Sequence, residues 1–129
     1  MEELIREMLS KKTWAVVGAT DNKEKFGYKI YKKLKDCGYR VYPVNPNYNE
    51  VDGDKCYGSL KELPEIPEVI DMVVSPKIGL STLQEAEELG IKFVWFQPGA
   101  QSEELIKYAM DRGIQVVYER CVLIELNKK

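Results

Sequence analysis

Apolar positions along this chain switch between two periods. Leu4, Ile5, Met8 and Leu9 recur at helical spacing and predict a helix over residues 2–11. The unbroken run Trp14-Ala15-Val16-Val17 then reads as a strand covered on both faces. Ile30, Leu34 and Cys37 return to helical spacing, and Gly38 is suited to close that helix. Further strands are expected at residues 40–44, at a short edge segment 55–57, and at 69–74, 93–96 and 114–118. Between them lie a turn of helix at 60–63 and a helix through Leu83, Ala86 and Leu89, closed by Gly90. A last helix is expected to start at Ser102, whose hydroxyl suits an N-cap, with Glu103 and Glu104 favourable in the first turn. It should bury Leu105, Ala109 and Met110 and stop at Gly113. Such alternation predicts one doubly wound α/β domain over residues 1–129. Its mostly parallel sheet of five or six strands should carry helices on both faces.

Ligands of such sheets bind outside the carboxyl ends of the strands, where the strand order reverses. That rule selects residues 18–27, 45–49, 75–79, 97–100 and 119–121, where much of the chain's unusual polar, Gly and Pro content lies. Gly18 permits a sharp turn after the first strand, and Ala19 and Thr20 keep the loop small enough for its amides to approach a ligand. Lys25-Phe26-Gly27 opens a helix whose N-terminus favours an anion such as a diphosphate, with Lys23 or Lys25 as counter-charge. The full G-x-G-x-x-G fingerprint is absent, so a tight turn without a ligand is the competing reading.

Strand two ends in Val44-Asn45-Pro46, where a nicotinamide-dinucleotide fold would put an acid to hold the ribose hydroxyls. Asn45 would touch an adenosine ribose or its phosphate, or else form an Asx turn that satisfies its own backbone. Ser75, Pro76 and Lys77 begin a helix and are placed to meet a diphosphate or adenine, or to serve as an ordinary helix entry. Gln97-Pro98-Gly99 forms a turn placed to line the outer cleft. Cys121 is expected on the same rim with Arg120 beside it, although a buried structural role is commoner for a free cysteine. Cys37 and Cys56 read as structural, and Lys29, Lys32, Lys33 and Lys35 as a solvated helix face.

Composition narrows the chemistry. A net charge of −2, from 19 basic and 21 acidic residues, is a poor match to nucleic acid. No apolar run approaches the ~20 residues of a membrane span, and three scattered cysteines suggest a reducing, cytoplasmic compartment without a metal knuckle. The chain contains no histidine. A histidine base, an imidazole ligand and a phosphohistidine within this chain are therefore excluded.

In combination, Val16-Val17-Gly18-Ala19-Thr20, Lys25-Phe26-Gly27, Gly38-Tyr39, Tyr42-Pro43-Val44-Asn45-Pro46, Trp95-Phe96-Gln97-Pro98-Gly99-Ala100 and Arg120-Cys121 resemble the small stand-alone CoA-binding domain proteins. These are related to the N-terminal domain of the succinyl-CoA synthetase alpha subunit and of ADP-forming acyl-CoA synthetases. The resemblance runs from about residue 12 to about residue 125 and implies a Rossmann-like sheet that binds coenzyme A. It implies that Gly18, Ala19, Thr20, Lys25 and Gly27 hold the diphosphate, and that Val44, Asn45 and Pro46 flank the adenosine and its phosphorylated ribose. Ser75 and Pro76 would then pack on the nucleotide, with Gln97, Pro98 and Gly99 towards the pantetheine. The large synthetases work through a phosphohistidine on another domain, so the resemblance implies a binding module without catalytic residues. The alternatives are an NAD(P)-dependent enzyme, disfavoured by the missing acid, and an accessory subunit of a larger synthetase. A further possibility is a mixed disulfide between Cys121 and the CoA thiol.

Overall fold

A computed structural model describes residues 1–128. Five parallel strands form the central sheet: β1 (Thr13–Val17), β2 (Arg40–Val44), β5 (Val69–Met72), β6 (Phe93–Phe96) and β7 (Gln115–Val117). Their order is β2-β1-β5-β6-β7. The chain therefore leaves β1 towards one edge and later returns to β5 on the other side of β1. This reversal opens a crevice between the carboxyl ends of β1 and β5.

Alternation along each strand sorts side chains onto two layers. Trp14 and Val16 join Val69, Trp95 and Val117 under α1 (Glu2–Ser10), α2 (Phe26–Asp36) and α5 (Val122–Asn127). Ala15 and Val17 join Ile70, Met72, Val94 and Phe96 under α3 (Pro76–Leu89) and α4 (Glu103–Asp111). All five residues of β1 are buried, as its unbroken apolar run requires when helices cover both faces. The indole N–H groups of the two buried tryptophans each find a carbonyl. Trp14 Nε1 donates to Lys11 at 3.1 Å and Trp95 Nε1 to Arg120 at 2.9 Å.

The structure corrects several expectations. Segment 55–57 does not form one edge strand: β3 (Glu50–Val51) pairs antiparallel with β4 (Asp54–Lys55), and Tyr57 makes a single parallel bridge to Val44. The two-residue turn Asp52-Gly53 has φ of 53° and 79°, the left-handed pair a tight hairpin requires. Lys32 and Lys35 are not merely solvated. Lys35 Nζ meets Asp54 at 2.7 Å and Asp52 at 3.1 Å, and Lys32 reaches Asp52 at 3.6 Å. Tyr28 and Tyr31 of α2 donate to the same two carboxylates at 2.8 and 2.6 Å, strapping the hairpin to the helix. Tyr31 is pushed up by burial and by its bond to Asp54, so it stays a donor.

Met110 lies on the outer side of α4 and is 61% exposed, because Leu105 and Ala109 already fill the inward stripe. Cys37 is the exposed C-cap of α2 rather than a core position, and the sheet strand after residue 69 ends at Met72. The helix α5 was not expected. It carries Val122 and Leu126 back onto the α1–α2 layer.

Candidate functional site

The crevice at the strand-order reversal is built on a backbone contact. Gly18 leaves β1 with φ of 100°, and its N–H donates to Val44 O at 2.9 Å. A Cβ on Gly18 would lie 2.9 Å from Val73 O, and one on Gly27 would lie 2.3 Å from Gly18 O. The first turn of α2 thus rests directly on the β1 exit, where only glycine fits. Lys25, at the N-cap of α2, supplies no side-chain cap. The N–H of Tyr28 turns back to Lys25 O at 3.2 Å, so the amides of Phe26 and Gly27 are the ones left for solvent or an anion.

Side chains fix the loop around this contact. Asn45 Nδ2 donates to Ala19 O at 2.9 Å, and Asn45 Oδ1 accepts from Asn47 N at 2.9 Å. The Asx-turn reading of Asn45 therefore holds, and the same side chain also binds the end of β2 to the β1 loop. Thr20 Oγ1 donates to Tyr48 Oη at 2.7 Å and accepts from Asn22 N at 3.1 Å. Ala19 is fully buried, so it contributes through its carbonyl and small size.

Two hollows open on this frame and share Gly18, Asn45, Asn47 and Val74. The larger, about 860 Å³, is lined by Thr20, Lys25, Phe26, Gly27 and Tyr48. The smaller, about 490 Å³, continues past Val44, Pro46 and Leu60 towards Ile78 and Thr82 of α3. Both fall in the range of small-molecule sites. Phe26 is 62% exposed at the α2 start, an apolar ring left in solvent beside the hollow.

Of the residues singled out in the sequence, the structure gathers Gly18, Thr20, Lys25, Phe26, Gly27, Val44, Asn45 and Pro46 around these hollows. Ser75, Pro76 and Lys77 form the start of α3 beside Val74 but line neither hollow. Ser75 and Lys77 are exposed, and Pro76 occupies the first helical turn. Gln97, Pro98 and Gly99 also lie outside both hollows. The Gln97 side chain is buried, not turned outward, and its Nε2 donates to Asp71 at 2.9 Å. Cys121 caps α5, half-buried and outside both hollows. Arg120 beside it is engaged by Glu2 at 2.5 Å and Glu125 at 3.8 Å.

Asp71 is the residue that sequence reasoning passed over. It is fully buried in β5, and burial pushes its carboxyl up to about 7 against the opposing hydrogen bond from Gln97. An acid inside Val69-Ile70-Asp71-Met72 was the available signal. Among the described residues, no group of three or more His, Cys, Asp or Glu side chains could hold a metal ion. No helix among them is long and apolar enough to cross a membrane.

Residues 12–127 match the CoA binding domain family. The alpha subunit of the ADP-forming acetate–CoA ligase II of Pyrococcus furiosus is 36% identical over 119 residues, which cover 84% of this chain. This chain spans only 26% of that subunit. The uncharacterized protein YneT of Bacillus subtilis is 28% identical over 121 residues, covering 93% of this chain and 90% of YneT. A solved structure of a hypothetical protein from Pyrococcus horikoshii superposes with a TM-score of 0.94 at 40% identity, covering 99% of this chain and 91% of that one. With the glycine-built crevice at the sheet's reversal point and a family match over nearly its whole length, this chain belongs to the CoA binding domain family.

Proposed function

We propose that the crevice binds coenzyme A or an acyl-CoA without catalysis of its own, as a carrier, sensor or regulatory module. The observation that carries this reading is the Gly18–Gly27 contact, which sets the uncapped start of α2 against the β1 exit within a CoA binding domain. In this reading Gly18, Ala19, Thr20, Lys25, Phe26 and Gly27 hold the diphosphate. Val44, Asn45 and Pro46 flank the adenosine, and Ser75, Pro76 and Lys77 form its outer wall. The pantetheine arm runs towards Gln97, Pro98, Gly99 and Cys121. Because Gln97 is bonded to Asp71, its turn would contribute backbone groups and shape. The absence of histidine supports a role in binding, and the free thiols suit a reducing cytoplasm.

A second reading is favoured by the likeness to a ligase alpha subunit: this chain would deliver CoA to a larger synthetase as its accessory subunit. Both readings require CoA to bind. Thermal melts with CoA, acetyl-CoA, NAD and NADP test that requirement. A ligand at 100 times its dissociation constant adds about 2.7 kcal/mol, or roughly 8–12 °C for a chain of this size. Stabilisation by NAD but not by CoA would reject the proposal.

A further inference from the structure

The charges around the crevice are unevenly placed. No lysine or arginine occurs between residues 41 and 54, and Lys55, which ends the hairpin, lies over the Tyr57 ring and lines neither hollow. The smaller hollow beside Asn45 contains one cation and two carboxylates. The cation, Lys61, is held by Glu88 at 2.6 Å. The other acid, Glu85, accepts from the amides of Leu60 at 3.0 Å and Lys61 at 3.4 Å, so it is fixed in place. The larger hollow carries one cation and one carboxylate, Lys25 and Glu24, so it lacks the excess of acid. Lys25 makes no ion pair among the described residues and lies at the start of α2, where the helix dipole also favours an anion.

From this distribution we infer that the crevice recognises the diphosphate and nucleoside of its ligand but not a further phosphate on the ribose. It therefore binds 3′-dephospho-CoA about as tightly as CoA. The inference rests on the proposed reading, in which the nucleoside lies at the end of β2. A ribose phosphate there would bring close to two negative charges into a hollow whose only cation is already neutralised. Asn45 does not repel such a group, but it is neutral: one N–H of its amide is spent on Ala19 O, and the other can offer at most an uncharged hydrogen bond. Missing repulsion makes the phosphate tolerable without making it a source of affinity.

Calorimetry with CoA and 3′-dephospho-CoA on the full chain tests the inference. Dissociation constants within about threefold of each other are expected, with the ratio little changed between low and physiological salt. CoA binding more than tenfold tighter would overturn the inference while leaving CoA binding intact. Failure of both ligands to bind would overturn the underlying reading as well. The variant Asn47→Lys adds a cation at an exposed position bordering both hollows. It should tighten CoA up to about fivefold, and by a larger factor than it tightens 3′-dephospho-CoA, whose diphosphate meets the same added charge. Equal gains for both ligands, or none for either, would show that the ribose phosphate does not lie at this end.

Discussion

Replacing Asp71 by Asn should stabilise the protein at pH 8 and do much less at pH 5. Asp71 is fully buried, and its carboxyl is raised from the ordinary 3.8 to about 7. In the unfolded chain the proton leaves near pH 4, whereas in the folded chain it is held until about pH 7. Between these values the folded state binds more protons than the unfolded state, so stability falls as pH rises. The fall is about 1.4 kcal/mol per pH unit, or roughly 4 kcal/mol over the whole window, and it levels off above pH 7. Asn is neutral throughout and nearly isosteric, and its Oδ1 can still accept from Gln97 Nε2. Its NH2 replaces the oxygen 3.2 Å from that donor, a cost independent of pH that cancels when the gap is compared between pH values. The gap between Asp71→Asn and the parent should therefore widen by about 2–3 kcal/mol from pH 5 to pH 8. Urea unfolding at pH 5, 6, 7 and 8 reads the gap directly, and the other carboxylates cancel in the difference. A gap independent of pH would refute the reasoning.

Gly27→Ala would set a Cβ 2.3 Å from Gly18 O, a main-chain atom that cannot swing aside. A loss of about 2–4 kcal/mol in urea unfolding is expected, and CoA affinity should fall even where the variant folds. Asn45→Asp would replace the amide that donates to Ala19 O with a carboxylate oxygen facing that carbonyl. It should cost about 1–3 kcal/mol without any ligand present, and an unchanged melting temperature would reject the structural role.

Much of the fold was legible because β1 and β6 are short apolar runs and β5 departs from one only at Asp71, each followed within four residues by a glycine or proline. The helix stop at Gly90 and the Ser102 cap likewise follow local rules, and Ser102 Oγ accepts from Leu105 N at 3.1 Å. Other features depended on tertiary packing. Cys37 continues the spacing of Ile30 and Leu34, yet it falls one residue past the helix end, where the stripe has no neighbour. The run Val122-Leu123-Ile124 suits strand or helix equally, and only the layer left open beside α1 and α2 decides for helix. The pairing of Lys32 and Lys35 required the hairpin, which Asp52-Gly53 signalled and the reading missed. Within the site, the glycine and Asn45 positions were legible. The burial of Gln97 was not, because its partner Asp71 lies 26 residues away on the neighbouring strand.

The contact between Gly18 and Gly27 has a consequence for how this chain can diverge. In an ordinary core contact, a larger side chain on one element can be accommodated by a smaller one opposite. Here a Cβ on Gly27 would meet the main-chain oxygen of Gly18, and one on Gly18 would meet that of Val73. Every residue carries that oxygen, so shrinking a neighbouring side chain relieves nothing. Mutational drift in the crevice is thereby channelled into the exposed residues 21–25, where loop chemistry can vary while the cradle, with Ala19 and Thr20 tied to Asn45 and Tyr48, stays unchanged.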